Sequence, residues 1–224
     1  MESVFDIIGP IMIGPSSSHT AGALKLASMA RAILGDTPTE VKVNLYGSFA
    51  KTYKGHGSDR AIAAGFLGFS TEDERIPDAI NIAANMGVKV NFVPSNISVD
   101  HPNTLEFEMT DKSGLKVTVQ GISIGGGNVI IKKIDNYEVN LTGNYETLII
   151  CHKDYPGIIA RITQIISNKY INIAYMYVSR LERGKDAMMT IETDDYIGID
   201  VYNILSNLSD LNFVKIIHKV QAGG

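Results

Sequence analysis

The sequence predicts an α+β fold divided into two domains, residues 1–144 and 145–224. Segments with helical periodicity alternate with short strand-like segments along the whole chain, as in folds with mixed layers. From Tyr145 onward the predicted order becomes β-α-β-β-α-β, which is the ferredoxin-like unit. The polar segment 135–144, which carries Gly143 and Asn144, separates the two patterns and predicts the boundary.

The first domain opens with a polar segment, GPSSSHT, that leads into a predicted helix over 21–34. Apolar residues cover most of that helix, which indicates that it is largely buried. We expect the hydroxyl of Ser18 or Thr20 to cap its first turn. A strand follows over 41–45, where apolar and polar residues alternate strictly.

The same arrangement of polar loop, cap and small-residue helix recurs after that strand. A Gly-His-Gly turn leads into Ser58 or Asp59, the expected cap of a helix over 60–67. Turn residues at 111–114 predict a hairpin over 104–124, and the run 125–127 of three glycines permits a bulge or a close backbone approach by a ligand. The domain is completed by a predicted helix over 78–86 and strands over 88–93, 104–110, 115–124 and 127–134.

The second domain has turn signals at 153–157 and 183–186. Its predicted elements are strands over 146–152, 171–182, 187–194 and 213–220, and helices over 158–169 and 199–208.

Composition excludes several classes of protein. An apolar fraction of 45% with 20% charged residues is sufficient for a buried core and too apolar for intrinsic disorder. No apolar run approaches the ~20 residues that cross a bilayer, and the N-terminus MESVFDIIGP has no basic region or cleavage site, so we expect a cytoplasmic chain with no membrane span. The net charge of −4, with no Lys/Arg cluster longer than Lys132-Lys133, argues against nucleic-acid binding.

The single cysteine, Cys151, limits the metal chemistry of the chain. One cysteine cannot form an internal disulfide, and iron–sulfur clusters and structural zinc need three or four strong ligands. We therefore expect no metal ligands here unless a second chain shares the site. Cys151 itself is expected to be a small, buried, apolar residue.

Two histidines, His19 and His56, stand in loops that precede helices, each flanked by glycine and small hydroxyl residues. The unpaired N–H groups and the positive dipole end of a helix N-terminus can hold an anion such as a substrate carboxylate. A histidine beside that anion can exchange protons near neutral pH. Alternatively, both segments are only capped helix starts with exposed histidines, but two of them in one short domain favour a functional role. His101-Pro102-Asn103 is a third candidate ligand-facing loop, and no role is assigned to His218.

The segments GPSSSHTAGAL, NLYGSFAKTYKGHGSDRAIAAGFLG, HPN and SIGGGN are followed by an ACT-like unit. In this combination, essentially the whole chain resembles the β subunit of bacterial iron–sulfur-dependent L-serine dehydratase. GPSSSHT together with GHGSD is specific, whereas the DYPG turn at 154–157 occurs in many amino-acid-sensing proteins. The first domain is also similar to the allosteric substrate-binding domain that is attached to some phosphoglycerate dehydrogenases.

The resemblance implies a heteromeric enzyme. In that family an α subunit brings the cysteines of a [4Fe–4S] cluster, whose open iron acts as a Lewis acid on the serine hydroxyl while a protein base removes the α-proton. The resulting aminoacrylate hydrolyses to pyruvate and ammonia, and no pyridoxal phosphate is implied. This chain would complete the active site on the cluster-bearing α subunit.

The same resemblance implies which residues form the site. We favour His56 as the base, since Asp59 three residues later could orient it, and we assign His19 to positioning the substrate together with Ser17 and Ser18. The choice between the two histidines stays open. The remaining expected substrate-binding residues are Ser16, Thr20, Gly57, Ser58, Asp59 and Asn103.

Two rival functions compete with the enzyme subunit. A purely regulatory amino-acid-binding module would use the same loops to hold an effector carboxylate, but it does not need two histidines among small residues. A plain dimerisation scaffold does not explain the polar helix starts. In the ACT-like unit, oligomerisation alone and binding of an amino-acid effector stay equally open, and we expect self-association through edge strands and an open sheet face.

Overall fold

The computed structural model describes residues 11–219. The chain divides into two compact units, of which unit 1 extends to Asp135 and unit 2 begins at Asn136. The domain ranges 1–144 and 145–224 stay a prediction. Residues 1–10, on which the expectation of no targeting sequence rests, and Val220, at the end of the last predicted strand, lie outside the described residues. Within 11–219 no helix is long and apolar enough to cross a membrane.

Unit 1 combines a sheet with four helices in its described part. The helices are α1 (Gly22–Leu34), α2 (Gly47–Thr52), α3 (Ser58–Leu67) and α4 (Ala79–Asn85). The strands are β1 (Glu40–Leu45), β2 (Lys89–Pro94), β3 (Thr104–Thr110), β4 (Lys116–Gly125) and β5 (Asn128–Ile134). Neighbours in this unit follow the order β2-β1-β3-β4-β5, with β1 and β2 parallel and the other pairs antiparallel. The α+β class is confirmed.

Helices α1 and α3 pack unusually closely, and this packing positions the candidate site. A Cβ on Gly65 of α3 would lie 2.4 Å from Leu24 O and 2.7 Å from Ala27 Cβ of α1. Only glycine therefore fits at this crossing. The alternating strand β1 buries Val41 and Val43 completely in the core of the same unit.

The start of α1 differs from the prediction. Ser17–Ala21 forms a π-helical turn that continues into α1, and the capping residue is Ser16, whose Oγ accepts a hydrogen bond from His19 N at 3.1 Å. The expectation that Ser18 or Thr20 caps this helix is wrong, because both residues already lie inside the helical turn. Wide π-helical turns of this kind occur frequently at functional sites.

The start of α3 also differs. Its N-cap is Gly57 in the left-handed conformation (φ 66°), and no side chain caps the helix. The expectation that Ser58 or Asp59 supplies the cap is wrong, since Ser58 is the first residue inside the helix and is 0% exposed. Helix α2 was also missed, because its sequence GSFAKT reads as part of a polar loop.

Unit 2 has the predicted ferredoxin-like order. Its elements from Glu146 onward are β7 (Glu146–Lys153), α5 (Ile158–Ser167), β8 (Ile173–Arg180), β9 (Asp186–Thr193), α6 (Ile199–Ser206) and β10 (Leu211–Ile217). The sheet order is β10-β7-β9-β8, with all neighbours antiparallel. Helix α5 buries Ile158, Ile162 and Ile166, which recur at a spacing of four and face the core.

Strand β6 (Tyr137–Leu141) occupies the segment that was expected to be a polar connection. Val139 and Leu141 are buried, at 2% and 1% exposure, so the segment is an amphipathic strand whose alternation was overlooked. β6 contacts β8 and β9, and Ser179 Oγ donates a hydrogen bond to Glu138 O at 2.6 Å. The expectation of an open sheet face is therefore wrong where β6 lies on these two strands.

Candidate active site

His19 is held by hydroxyl groups at both ring nitrogens. Its Nε2 lies 2.8 Å from Ser48 Oγ, and its Nδ1 lies 3.4 Å from Ser16 Oγ. Ser48 belongs to α2, which begins directly after β1, so the end of that strand brings the hydroxyl to the ring. Because a hydroxyl can donate or accept, the two contacts orient the imidazole without requiring it to be charged.

His56 lies beside His19. The two ring centroids are 4.8 Å apart, with an angle of 55° between the ring planes. The Thr20 hydroxyl donates a hydrogen bond to His56 O at 3.0 Å, which ties the turn before α1 to the loop before α3. His56 Nδ1 is buried and has no hydrogen-bond partner among the described residues, so one polar atom of this ring is left unsatisfied.

A cavity of about 170 Å³ lies next to His56. A water molecule takes up about 30 Å³ in the liquid, so the cavity has the volume of roughly six waters and can hold a small amino acid. Its polar lining consists of Thr20, Lys54, His56 and Arg60. The other lining residues are glycine or apolar, namely Ile13, Gly14, Pro15, Gly55, Gly57, Ile76 and Pro77.

The third predicted loop contacts the start of α2. Ser48 N donates a hydrogen bond to Pro102 O at 2.7 Å. Gly47 (φ 55°) allows this approach, since a Cβ there would lie 2.4 Å from Pro102 O. Asn103 Nδ2 donates to Ser123 O at 3.4 Å. The loop therefore supports the residue that contacts His19, and this places all three predicted loops in one region.

The triple glycine lies close to the first loop. Ser123 Oγ, at the end of β4, donates a hydrogen bond to Ser18 O at 2.9 Å. A Cβ on Gly125 would lie 3.8 Å from Ser18 Oγ. The bulge that the glycine run permits is present as a register shift between Ser123 and Gly125.

The pKa of His19 is lowered below its ordinary 6.5, first by burial and then by the charge of the neighbouring His56. Burial removes hydration from the imidazolium, and two charged rings at this separation repel one another. His19 is therefore neutral at neutral pH.

Two predicted residues have surroundings that sequence reasoning did not anticipate. Ser58 Oγ is buried and has no hydrogen-bond partner within the described chain. Asp59 Oδ1 accepts a hydrogen bond from Arg60 N at 2.9 Å and makes none to His56. The expectation that Asp59 orients His56 is therefore wrong.

Three residues of the site were missed: Ser48, Lys54 and Arg60. Their positions beside His19 and His56 depend on how β1, α2 and α3 pack, which no local pattern predicts. The position of Arg60 is informative in the sequence, because a cation in the first turn of a helix opposes the helix dipole. Such a residue calls for an explanation other than helix stability.

The described residues do not fit as ligands of an iron–sulfur cluster. Within 11–219 there is no group of three or more His, Cys, Asp or Glu side chains that could hold a metal ion. Cys151 lies in β7 of unit 2, and burial raises the pKa of its thiol. A raised pKa disfavours the thiolate, which is the form that binds iron.

Two known families match separate parts of the chain. The serine dehydratase beta chain family matches residues 3–87. The AHAS small subunit-like ACT domain matches residues 148–214, within the part that has the ferredoxin-like order.

Similar proteins cover nearly the whole chain. The probable L-serine dehydratase, beta chain, of Bacillus subtilis (strain 168) is 44% identical over 210 residues, which are 94% of this chain and 95% of that protein. The L-serine dehydratase, beta chain, of Peptoniphilus asaccharolyticus is 35% identical over 193 residues, 86% of this chain and 87% of that protein. D-3-phosphoglycerate dehydrogenase of Bacillus subtilis (strain 168) is 24% identical over 200 residues, 86% of this chain but 37% of that protein. The chain belongs to the family of L-serine dehydratase beta chains.

Proposed function

We propose that this beta chain supplies proton-transferring residues to an L-serine dehydratase whose active site is completed by an alpha subunit. The observation that carries the proposal is the pair of imidazoles, His19 and His56, whose ring centroids are 4.8 Å apart. His56 lines a cavity of about 170 Å³. In the reaction, loss of the α-proton and of the hydroxyl group of L-serine as water leaves aminoacrylate. Hydrolysis of aminoacrylate gives pyruvate and ammonia.

His56 is the base in this proposal. His56 lines the cavity, and the hydrogen bond from the Thr20 hydroxyl fixes its backbone. Its Nδ1 is buried without a hydrogen-bond partner among the described residues, and we assign to this ring the exchange of a proton with the bound substrate.

His19 is a positioning residue. Both of its ring nitrogens lie near serine hydroxyls, which orient the ring. Its lowered pKa keeps it neutral, so it does not repel His56 when His56 takes up the α-proton. Ser17 and Ser18 lie in the same helical turn but do not line the cavity beside His56, so their role in positioning the substrate stays a prediction.

The iron–sulfur type of the enzyme is part of the proposal. Because the described residues do not fit as cluster ligands, we assign the ligands of the [4Fe–4S] cluster to the alpha subunit. Anaerobic purification tests this division. The chain alone is expected to be colourless and inactive, and its complex with the alpha subunit is expected to be brown and to deaminate L-serine. A brown and active isolated chain would refute the division.

A regulatory amino-acid-binding module is the second candidate. The similarity to D-3-phosphoglycerate dehydrogenase over 200 residues favours it. A regulatory site binds an amino acid without exchanging its α-proton. Loss of α-proton exchange when His56 or His19 is replaced in the assembled enzyme would therefore favour the catalytic role.

The ACT-like unit is proposed to join two copies of the chain. Its outer strand β8 carries exposed Tyr175, Met176 and Val178, at 56%, 44% and 36% exposure. An unpaired, apolar strand edge commonly pairs with another strand. Binding of an amino-acid effector to this unit remains a second proposal alongside self-association.

A further inference from the structure

The cavity beside His56 carries two cations that the proposed reaction does not yet use. Lys54 and Arg60 both line it, from the two sides of the Gly55–Gly57 turn. Neither forms an ion pair among residues 11–219, although other exposed cations such as Arg75 and Lys112 do. Lys54 Nζ lies 5.9 Å from the centroid of the Tyr53 ring. Two cations without an acidic partner at one small cavity attract a negatively charged ligand.

Arg60 occupies a position that is unfavourable for the helix by itself. It lies in the first turn of α3, where positive charge opposes the dipole, and no side chain caps this helix. Its backbone N–H bonds to Asp59 Oδ1, whereas its guanidinium has no hydrogen bond to the described residues. A bound anion would interact favourably with both the guanidinium and the helix N-terminus.

We propose that Arg60 binds the carboxylate of the amino-acid substrate in this cavity, with Lys54 as a second cation. This inference rests on the proposed function, because it places the substrate's α-carbon beside His56, the assigned base. Guanidinium offers two parallel N–H donors that match a carboxylate, and this geometry fixes the direction of the bound molecule. Arg60 is thus the residue that selects an α-amino acid and orients it.

The remaining lining fits the rest of a small amino acid. Three glycines, Gly14, Gly55 and Gly57, leave space next to the backbone, and Ile76 and Pro77 close the cavity with apolar surface. The Thr20 hydroxyl proton is donated to His56 O, so its oxygen can accept a hydrogen bond from the substrate's amino group. The small volume excludes long side chains.

The test is an NMR titration of the full 224-residue chain with L-serine and with L-serinamide, which lacks the carboxylate. We expect L-serine to shift the amide signals of Gly55 and Gly57, and L-serinamide to bind much more weakly. Arg60→Gln is expected to weaken L-serine binding about 10- to 100-fold, since it removes hydrogen bonds to a charged group. Arg60→Lys keeps the positive charge and should therefore lose less affinity for L-serine than Arg60→Gln.

Arg183→Gln is the matched control, because it removes an exposed guanidinium from a turn of unit 2. It should bind L-serine as the unmodified chain does, and the amide spectrum of each variant shows whether it is folded. The inference is overturned by equal binding of L-serine and L-serinamide, by unchanged affinity in Arg60→Gln, or by absent shifts at Gly55 and Gly57. Shifts confined to Ser17 and Ser18 would instead place the carboxylate at the first loop and also overturn it.

Activity of the assembled enzyme separates this inference from the proposed function. An active enzyme in which Arg60→Gln leaves the KM for L-serine unchanged rejects only the role of Arg60. An inactive complex with the unmodified chain rejects the catalytic proposal, whereas the NMR titration still decides whether the cavity binds a carboxylate.

Discussion

His56 and His19 have different surroundings, so their replacement should have different effects. In the assembled enzyme, His56→Ala should lower kcat by ~10²–10⁴-fold with little change in KM, because it removes a proton-transferring group and leaves substrate contacts in place. Exchange of the serine α-proton with solvent should be lost as well. Steady-state kinetics and mass spectrometry of recovered serine in deuterated water measure both effects.

His19→Ala is the comparison variant. It should raise KM as well as lower kcat, and it should retain part of the α-proton exchange. All measurements need equal content of the proposed cluster and of the proposed alpha subunit, because the loss of either would also lower activity. Near-native kcat in His56→Ala would contradict the assignment, and loss of exchange in His19→Ala alone would reverse the two roles.

The pKa of His19 also makes the stability of unit 1 depend on pH. The folded chain holds this pKa below the ordinary 6.5, so the unfolded state binds more protons as the pH falls through 6.5. Stability is unaffected above that pH and declines below it, until the folded pKa is reached. When the pH is lowered from about 7.5 to about 5.5, we expect the free energy of unfolding to decrease less in His19→Gln than in the unmodified chain.

Urea unfolding at the two pH values measures this difference. The two proteins differ only at residue 19, so the difference between their losses of stability reports on His19. Equal losses of stability in the two proteins would show that His19 is not held neutral by the fold.

Short elements, rather than long helices, bring the site together. Helix α2 is six residues long, yet it carries Ser48 to His19 and receives the loop that contains Pro102. The strand-to-helix turn at Gly47 makes both contacts sterically feasible. A change at this turn should therefore affect stability and the site together.

Gly47→Ala is expected to destabilise the chain by about 2–4 kcal/mol. A left-handed alanine costs about 1–2 kcal/mol, and the added Cβ would lie 2.4 Å from Pro102 O, which requires the loop to move. The urea midpoint at constant m-value reports the change.

Gly87→Ala is the matched control for backbone strain. Gly87 also has a positive φ, 80°, but a Cβ there meets nothing within 4 Å. This variant should lose only about 1–2 kcal/mol. If Gly47→Ala and Gly87→Ala lower the free energy of unfolding by the same amount, the contact with the Pro102 loop makes no measurable contribution to stability.

The whole molecule is expected to self-associate through unit 2. Strand β8 lies at an edge of the sheet and exposes apolar side chains, among them Met176. Light scattering of the full chain at micromolar concentration should therefore show a dimer. Met176→Lys should shift the equilibrium to monomer, because like charges would face each other across paired edges.

The control is Ile80→Lys, which places the same charge on α4 of unit 1 at a residue that is 37% exposed. It should leave the dimer intact. A monomeric unmodified chain, or a dimer that persists in Met176→Lys, would show that β8 is not the contact.

The sequence by itself determined the α+β class, the ferredoxin-like order and the family. These depend on local periodicity and on motifs such as GPSSSHT and GHGSD, which are complete within a few residues. The alternation of Val139 and Leu141 with polar residues also indicates strand β6. The polar composition of the same segment favours a loop, and here the alternation is the better guide.

Only the tertiary structure decided how the site is assembled. The caps Ser16 and Gly57 depend on where the helical turns begin, which is set by the packing of α1 against α3. The contact of Ser48 with His19 and the presence of Arg60 in the cavity beside His56 join residues from separate elements. Such contacts are selected by burial and by close helix approach at Gly65, and these are properties of the packed core that no segment carries alone.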